Sequence, residues 1–250
     1  MKSTDLIAEF ARRCDRSVVP AYEDRDGRNR WAASFMQALS GSSVLNLGGG
    51  GRRHLEKYLG PRWHVHEVDI TGDCDTKVNL DEIYRLPFED ESFDVCCAFE
   101  VLEHLDHFHS IADEMYRVSK STILISLPNS AVEMFPILSN RRYFNDPLQN
   151  GVYSKYNGLP VKAPEDRHRW WLTFEDIVRY CLWYEKEKAC GITFFIPNDE
   201  FSLKRKLFRL ACGERLYLTL FCSCIWVRIQ KKTGVASLKP NRVEEIVGPA

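Results

Sequence analysis

The stretch that most constrains what this chain can fold into is Val44 to Leu55, VLNLGGGGRRHL. A short apolar run leads into four consecutive glycines, and helix-compatible residues follow them. Four residues without side chains would weaken the interior of a helix or a strand, so they mark the turn from a buried strand into a helix. Bare backbone at such a turn admits a ligand closely, and the first amides of the helix point at it. The arrangement suits a nucleotide or a nucleoside.

Strand and helix signals alternate through the first half. Trp63 to Ile70 alternates and is rich in branched residues, which predicts a second strand ending near Asp69. Further strands are expected at Thr76 to Leu80, Phe93 to Phe99 and Ser121 to Leu127, with a helix over Asp106 to Val118. This pattern predicts an α/β, Rossmann-like parallel sheet with its ligand at the carboxyl ends of the strands. Asp69 follows Gly50 by 19 residues, where a carboxylate accepts hydrogen bonds from ribose hydroxyls.

Helices are expected near both ends: Ser3 to Arg13, a second one carrying Trp31, Phe35 and Leu39, and one capped by Thr173 and Asp176. Ala189 to Ile196 and Tyr217 to Ile229 read as strands, separated by a basic helical piece from Leu203 to Leu210. At 250 residues, one domain accommodates everything. It divides into amino-terminal helices (1–41), a cofactor-binding half (42–130), an acceptor loop with the last strands (131–232) and a tail (233–250).

Lys and Arg total 34 against 35 Asp and Glu, and this balance argues against a nucleic-acid partner. Nine cysteines, an odd number without a CxxC pair, indicate reduced thiols and a cytoplasmic location. The longest apolar run, Leu216 to Val227, is too short for a membrane crossing and reads as a buried strand. Lys204, Arg205, Lys206 and Arg209 read as a solvated helix face, with an anionic acceptor or peripheral membrane contact as the competing uses.

Leu86 to Leu105, LPFEDESFDVCCAFEVLEHL, resembles the segment around the fourth strand of class I S-adenosylmethionine-dependent methyltransferases. VLNLGGGG, VDI, LPFEDESFD, EVLEHL and RVSKSTILISLPN stand in that family's order, over roughly residues 42 to 130. The LNLG start is most similar to the branch that modifies sugars, polysaccharides and other small acceptors. The resemblance implies seven strands in the order 3-2-1-4-5-7-6, the last antiparallel, with S-adenosylmethionine as cofactor. Gly48 and Gly50 would admit its methionine part, Asp69 would hold the ribose, Ile70 would touch the adenine and Asp81 would face the adenine amine. Phe99 and Glu100 would line the floor near the sulfonium. Two departures stand out: Asn46 replaces the usual acid that helps bind the cofactor's amino group, and Arg52 replaces the third glycine.

A sulfonium already activates the methyl group, so the protein's task is in-line placement, exclusion of water and sometimes removal of a proton. His104 and His168 are the candidate bases, and Trp170 and Trp171 could stack on a ring. Glu103, His104, Asp106, His107 and His109 cluster in sequence, but two ligands would have to come from elsewhere, so no metal is expected. The expectation is methyl transfer to an oxygen, less readily a nitrogen, of a small-molecule or glycan acceptor. The competing readings are a non-catalytic cofactor-binding scaffold and a nicotinamide-dependent oxidoreductase, and the latter leaves the LPFEDESFD to EVLEHL block unexplained.

Overall fold

The computed structural model describes residues 3–20, 24–132, 168–198 and 203–232. Eight strands form one sheet: β1 (Cys14–Pro20), β2 (Ser43–Leu47), β3 (His64–Asp69), β4 (Thr76–Lys77), β5 (Phe93–Phe99), β6 (Ser119–Pro128), β7 (Gly191–Asn198) and β8 (Cys224–Gln230). Their spatial order is β1-β7-β8-β6-β5-β2-β3-β4. From β2 onward this is the anticipated 3-2-1-4-5-7-6 arrangement, with β8 antiparallel to both β6 and β7.

The eighth strand corrects the expectation of seven. Cys14–Pro20 pairs parallel with β7 at the far edge, a stretch to which the sequence analysis assigns no element. Asp15, Arg16 and Ser17 in succession keep CDRSVVP from announcing itself as a strand, and its partner lies at the other end of the chain.

The helices are α1 (Ser3–Arg13), α2 (Arg25–Gln37), α3 (His54–Tyr58), α4 (Phe108–Val118), α5 (Phe174–Glu187) and α6 (Leu203–Phe221). Alternate residues of the central strands feed two cores, so both faces of the sheet are covered. Leu45, Leu47, Cys96 and Ala98 pack with side chains of α1, α4 and α5. Val44, Cys97, Phe99 and Trp226 pack on the other face with Trp31, Ala32 and Met36 of α2 and Leu55 of α3. Trp31 meets Trp226 edge-on, with ring centroids 4.3 Å apart.

A second correction concerns Leu216 to Phe221, expected as strand. These residues belong to α6, which bends at Gly213, where φ is 82°. The run LYLTLF is apolar under either period, and leucine favours a helix. Asn129 Nδ2 donates to the carbonyls of Leu218, Thr219 and Cys222, satisfying the last turn, and the strand begins only at Cys224. The loop Ser130 to Trp171 lies largely outside the described residues, as do the side chains of Lys204, Arg205 and Lys206 and the tail after residue 232.

Candidate active site

The glycine turn sits at the carboxyl end of β2. Gly48, Gly50 and Gly51 have φ of 67°, 81° and 59°, a region that residues with a Cβ avoid. A Cβ on Gly48 would also come within 2.5 Å of Val101 Cγ2, so the segment after β5 packs directly on the turn. Gly51 lies against Gly72, whose Cα would be 2.7 Å from a Cβ placed there.

Asp69, at the end of β3, ties this turn down. Its Oδ2 accepts from Gly50 N at 2.7 Å, and its Oδ1 accepts from Ile70 N at 2.8 Å and Thr71 N at 3.3 Å. Ile70 is 61% exposed beside it, an apolar side chain open to a ring. Asp81 Oδ1 accepts from Asp106 N at 2.8 Å, which joins the NLDE turn to the segment leading into α4.

Arg52, at the third-glycine position, is exposed. A different arginine occupies the cradle: a Cβ on Gly50 would collide with Nη1 of Arg25, the first residue of α2. Buried Arg28 on the same helix pairs with Glu100. Glu100 turns at φ 53° to end β5 next to buried Phe99.

Beneath the turn, Asn46 is buried and its register partner on β3 is Glu67. Asn46 Nδ2 lies 3.5 Å from Glu67 Oε2, and Cys97 Sγ donates to Asn46 Oδ1 at 3.3 Å. Glu67 is fully buried, and burial pushes its carboxyl above the ordinary value. The sequence reading passed over Glu67.

His104 and His168 are brought together with ring centroids 4.4 Å apart. The peptide amides of Arg169 and Trp170 donate to Glu103 O at 2.8 and 3.2 Å, which zips this segment to the EVLEHL turn. Arg169 also pairs with Asp106 at 3.6 Å. Glu103 is fully buried, with Oε1 3.8 Å from His104 Nε2. One ligand atom from each of Glu103, His104 and His168 lies within 4.8 Å of the others, a set that could hold a metal ion. Trp170 spends its Nε1 proton on Leu105 O at 2.7 Å and packs near Phe108, so it serves the core. Trp171 is 37% exposed.

A methyltransferase domain family matches residues 45–125, the span that contains the glycine turn, Asp69, Asp81 and the EVLEHL turn. Residues 45–125 are thus similar to a methyltransferase domain. S-adenosylmethionine is the donor that such domains use, and the bare turn with its neighbouring carboxylate fits a nucleoside of that kind. Solved structures share the methyltransferase fold. The small RNA methyltransferase HEN1 superposes with a TM-score of 0.53 at 14% identity, covering 90% of this chain and 28% of that one. The plantazolicin methyltransferase BpumL, in complex with a triazolic desmethylPZN analog and SAH, gives 0.53 at 13% identity, covering 92% and 90%. A SAM-dependent methyltransferase from Archaeoglobus fulgidus gives 0.51 at 18% identity, covering 82% and 92%. No curated protein matches the sequence. Among the described residues, no helix is long and apolar enough to cross a membrane.

Proposed function

We propose that the protein transfers a methyl group from S-adenosylmethionine to an oxygen of a small-molecule or glycan acceptor. When bound, the cofactor supplies a methyl group activated by its sulfonium. The backbone of Gly48 to Gly50 receives the methionine part. Asp69 accepts from the ribose hydroxyls with the lone pairs its three backbone contacts leave, and Ile70 covers the adenine. Phe99 and Glu100 form the floor, and Trp171 flanks the acceptor. His104, with His168 beside it, takes the proton that an acceptor hydroxyl loses.

The observation that carries this reading is Asp69 bonded to Gly50 N, a carboxylate and a side-chain-free turn held in one unit. Calorimetry with S-adenosylhomocysteine tests it. Asp69→Ala should weaken binding at least about tenfold, the effect of losing charge-assisted hydrogen bonds. Equal affinity in wild type and variant would refute the ribose assignment.

A second reading is favoured by the Glu103, His104 and His168 set. There, a divalent cation held by these three groups would lower the acceptor hydroxyl's pKa in place of a histidine base. Methyl transfer abolished by a chelator and restored by one divalent ion would select it. Transfer indifferent to chelation would select the histidine base.

A further inference from the structure

We propose that Arg25 and Glu67 clamp the amino-acid end of the cofactor, the guanidinium holding its carboxylate above the glycine turn and the buried carboxylate drawing its ammonium from below. The inference rests on the cofactor reading above and assigns two residues that the methyltransferase resemblance does not supply.

Position 46, the usual place for an acid, holds an asparagine whose amide is committed to Glu67 and Cys97. The missing charge stands one strand over. Glu67 is the register partner of Asn46, and a Cβ on Gly49 would run into Glu67 Cδ and lie 2.6 Å from Asn46 Nδ2. The carboxyl therefore packs directly against the Gly49 backbone, where no side chain larger than hydrogen fits. Glu67 is fully buried; burial outweighs the help its carboxyl receives from the Arg53 backbone and the Asn46 amide, and its Oε1 has no direct hydrogen-bond partner among the described residues. Such a group is costly unless a donor or a positive charge completes it. An ammonium at the turn offers the positive charge, acting across the Gly49 backbone.

Arg25 supplies the opposite pole. It opens α2, whose first turn is fixed by Asp24 accepting from Gly27 N at 2.7 Å and by the pairing of Arg28 with Glu100. Its guanidinium reaches over Gly50, and its planar fork of donors matches a carboxylate. Two adjacent glycines thus have a positive group over one and a negative group under the other. An α-amino acid carries the complementary pair of charges on a single carbon.

Calorimetry with three nucleosides isolates each half of the clamp: S-adenosylhomocysteine, its decarboxylated analogue, and 5′-methylthioadenosine, which lacks both charged groups. Glu67→Gln should weaken S-adenosylhomocysteine and the decarboxylated analogue by roughly 10- to 100-fold. Arg25→Gln should weaken S-adenosylhomocysteine about tenfold or more and leave the decarboxylated analogue as in wild type. Neither variant should change 5′-methylthioadenosine binding by more than about twofold, which also shows that the pocket remains folded. Unchanged S-adenosylhomocysteine affinity in either variant, or equal losses for all three nucleosides, would overturn the clamp. A wild type that binds none of the three would instead remove the cofactor reading on which it stands.

Discussion

His104 and His168 stand edge to face with ring centroids 4.4 Å apart, each beside the buried carboxyl of Glu103. The contact exists because the amides of Arg169 and Trp170 dock on the carbonyl of Glu103, so α5 delivers its leading segment to the end of β5. Replacing either histidine by glutamine should lower methyl incorporation by roughly 10²- to 10⁴-fold, the usual contribution of a positioned base. S-adenosylhomocysteine affinity should stay within about twofold, since the groups assigned to the cofactor are Gly48 to Gly50, Asp69 and Ile70. Labelled-methyl transfer to a panel of hydroxyl-bearing acceptors, with calorimetry alongside, gives both readouts. Full incorporation by the double variant would remove these side chains from the chemistry.

Gly51 predicts a stability defect. Its φ is 59°, and a Cβ there would collide with Thr71 O and come within 2.7 Å of Gly72 Cα. Gly51→Ala should cost about 2 kcal/mol or more, because both the backbone and the neighbouring loop must shift. Gly60, with nothing within 4 Å of its absent side chain, is the control. Urea unfolding of the two variants should separate them clearly.

Glu67 trades stability for function. Burial raises its pKa in the folded state above the ordinary 4.5. A raised carboxyl contributes its full stability below the unfolded value and loses it as pH rises through the folded one. Glu67→Gln, which removes the ionisation, should therefore raise the melting temperature of the ligand-free protein at pH 7, with the gain shrinking toward pH 4. A variant that melts lower than wild type at pH 7 would mean that the carboxylate is already compensated.

Asp94 behaves in the opposite sense. Partial burial pushes it up, but the Ser42 amide, the Ser43 hydroxyl and amide, and Lys120 outweigh this and hold it at about 2. Its Oδ2 accepts from Ser42 N at 2.8 Å, Ser43 N at 3.0 Å and Ser43 Oγ at 3.0 Å, fastening the start of β2 to β5. A depressed carboxylate contributes above its unfolded pKa and loses that contribution as pH falls through the folded value. Asp94→Asn should cost on the order of 2 kcal/mol at pH 7, a difference that fades between about pH 4 and pH 2. Chemical denaturation at several pH values would show this convergence.

Much of this was legible in the chain. Phe93–Phe99 is an unbroken apolar run between turn signals, and the structure has β5 over those residues. Thr173 and Asp176 form the expected reciprocal cap, with Thr173 N donating to Asp176 Oδ2 at 3.1 Å. What escaped depends on topology. In WHVHEVDI, Glu67 breaks the alternation on the side of Trp63 and Val65, and with both faces of this sheet covered it is buried there. Arg52 stands inside the turn in sequence, whereas Arg25 arrives from a helix that precedes β2. No local pattern reports which helix start lies over which loop.

The strand Cys14–Pro20 lies along β7 on the side that β8 leaves open. Were the first twenty residues cut away, the backbone amides and carbonyls of Gly191–Asn198 would stand bare as a border ready to recruit a stranger. A shortened chain would then be expected to keep its cofactor crevice, at the opposite half of the sheet, while clumping through that border.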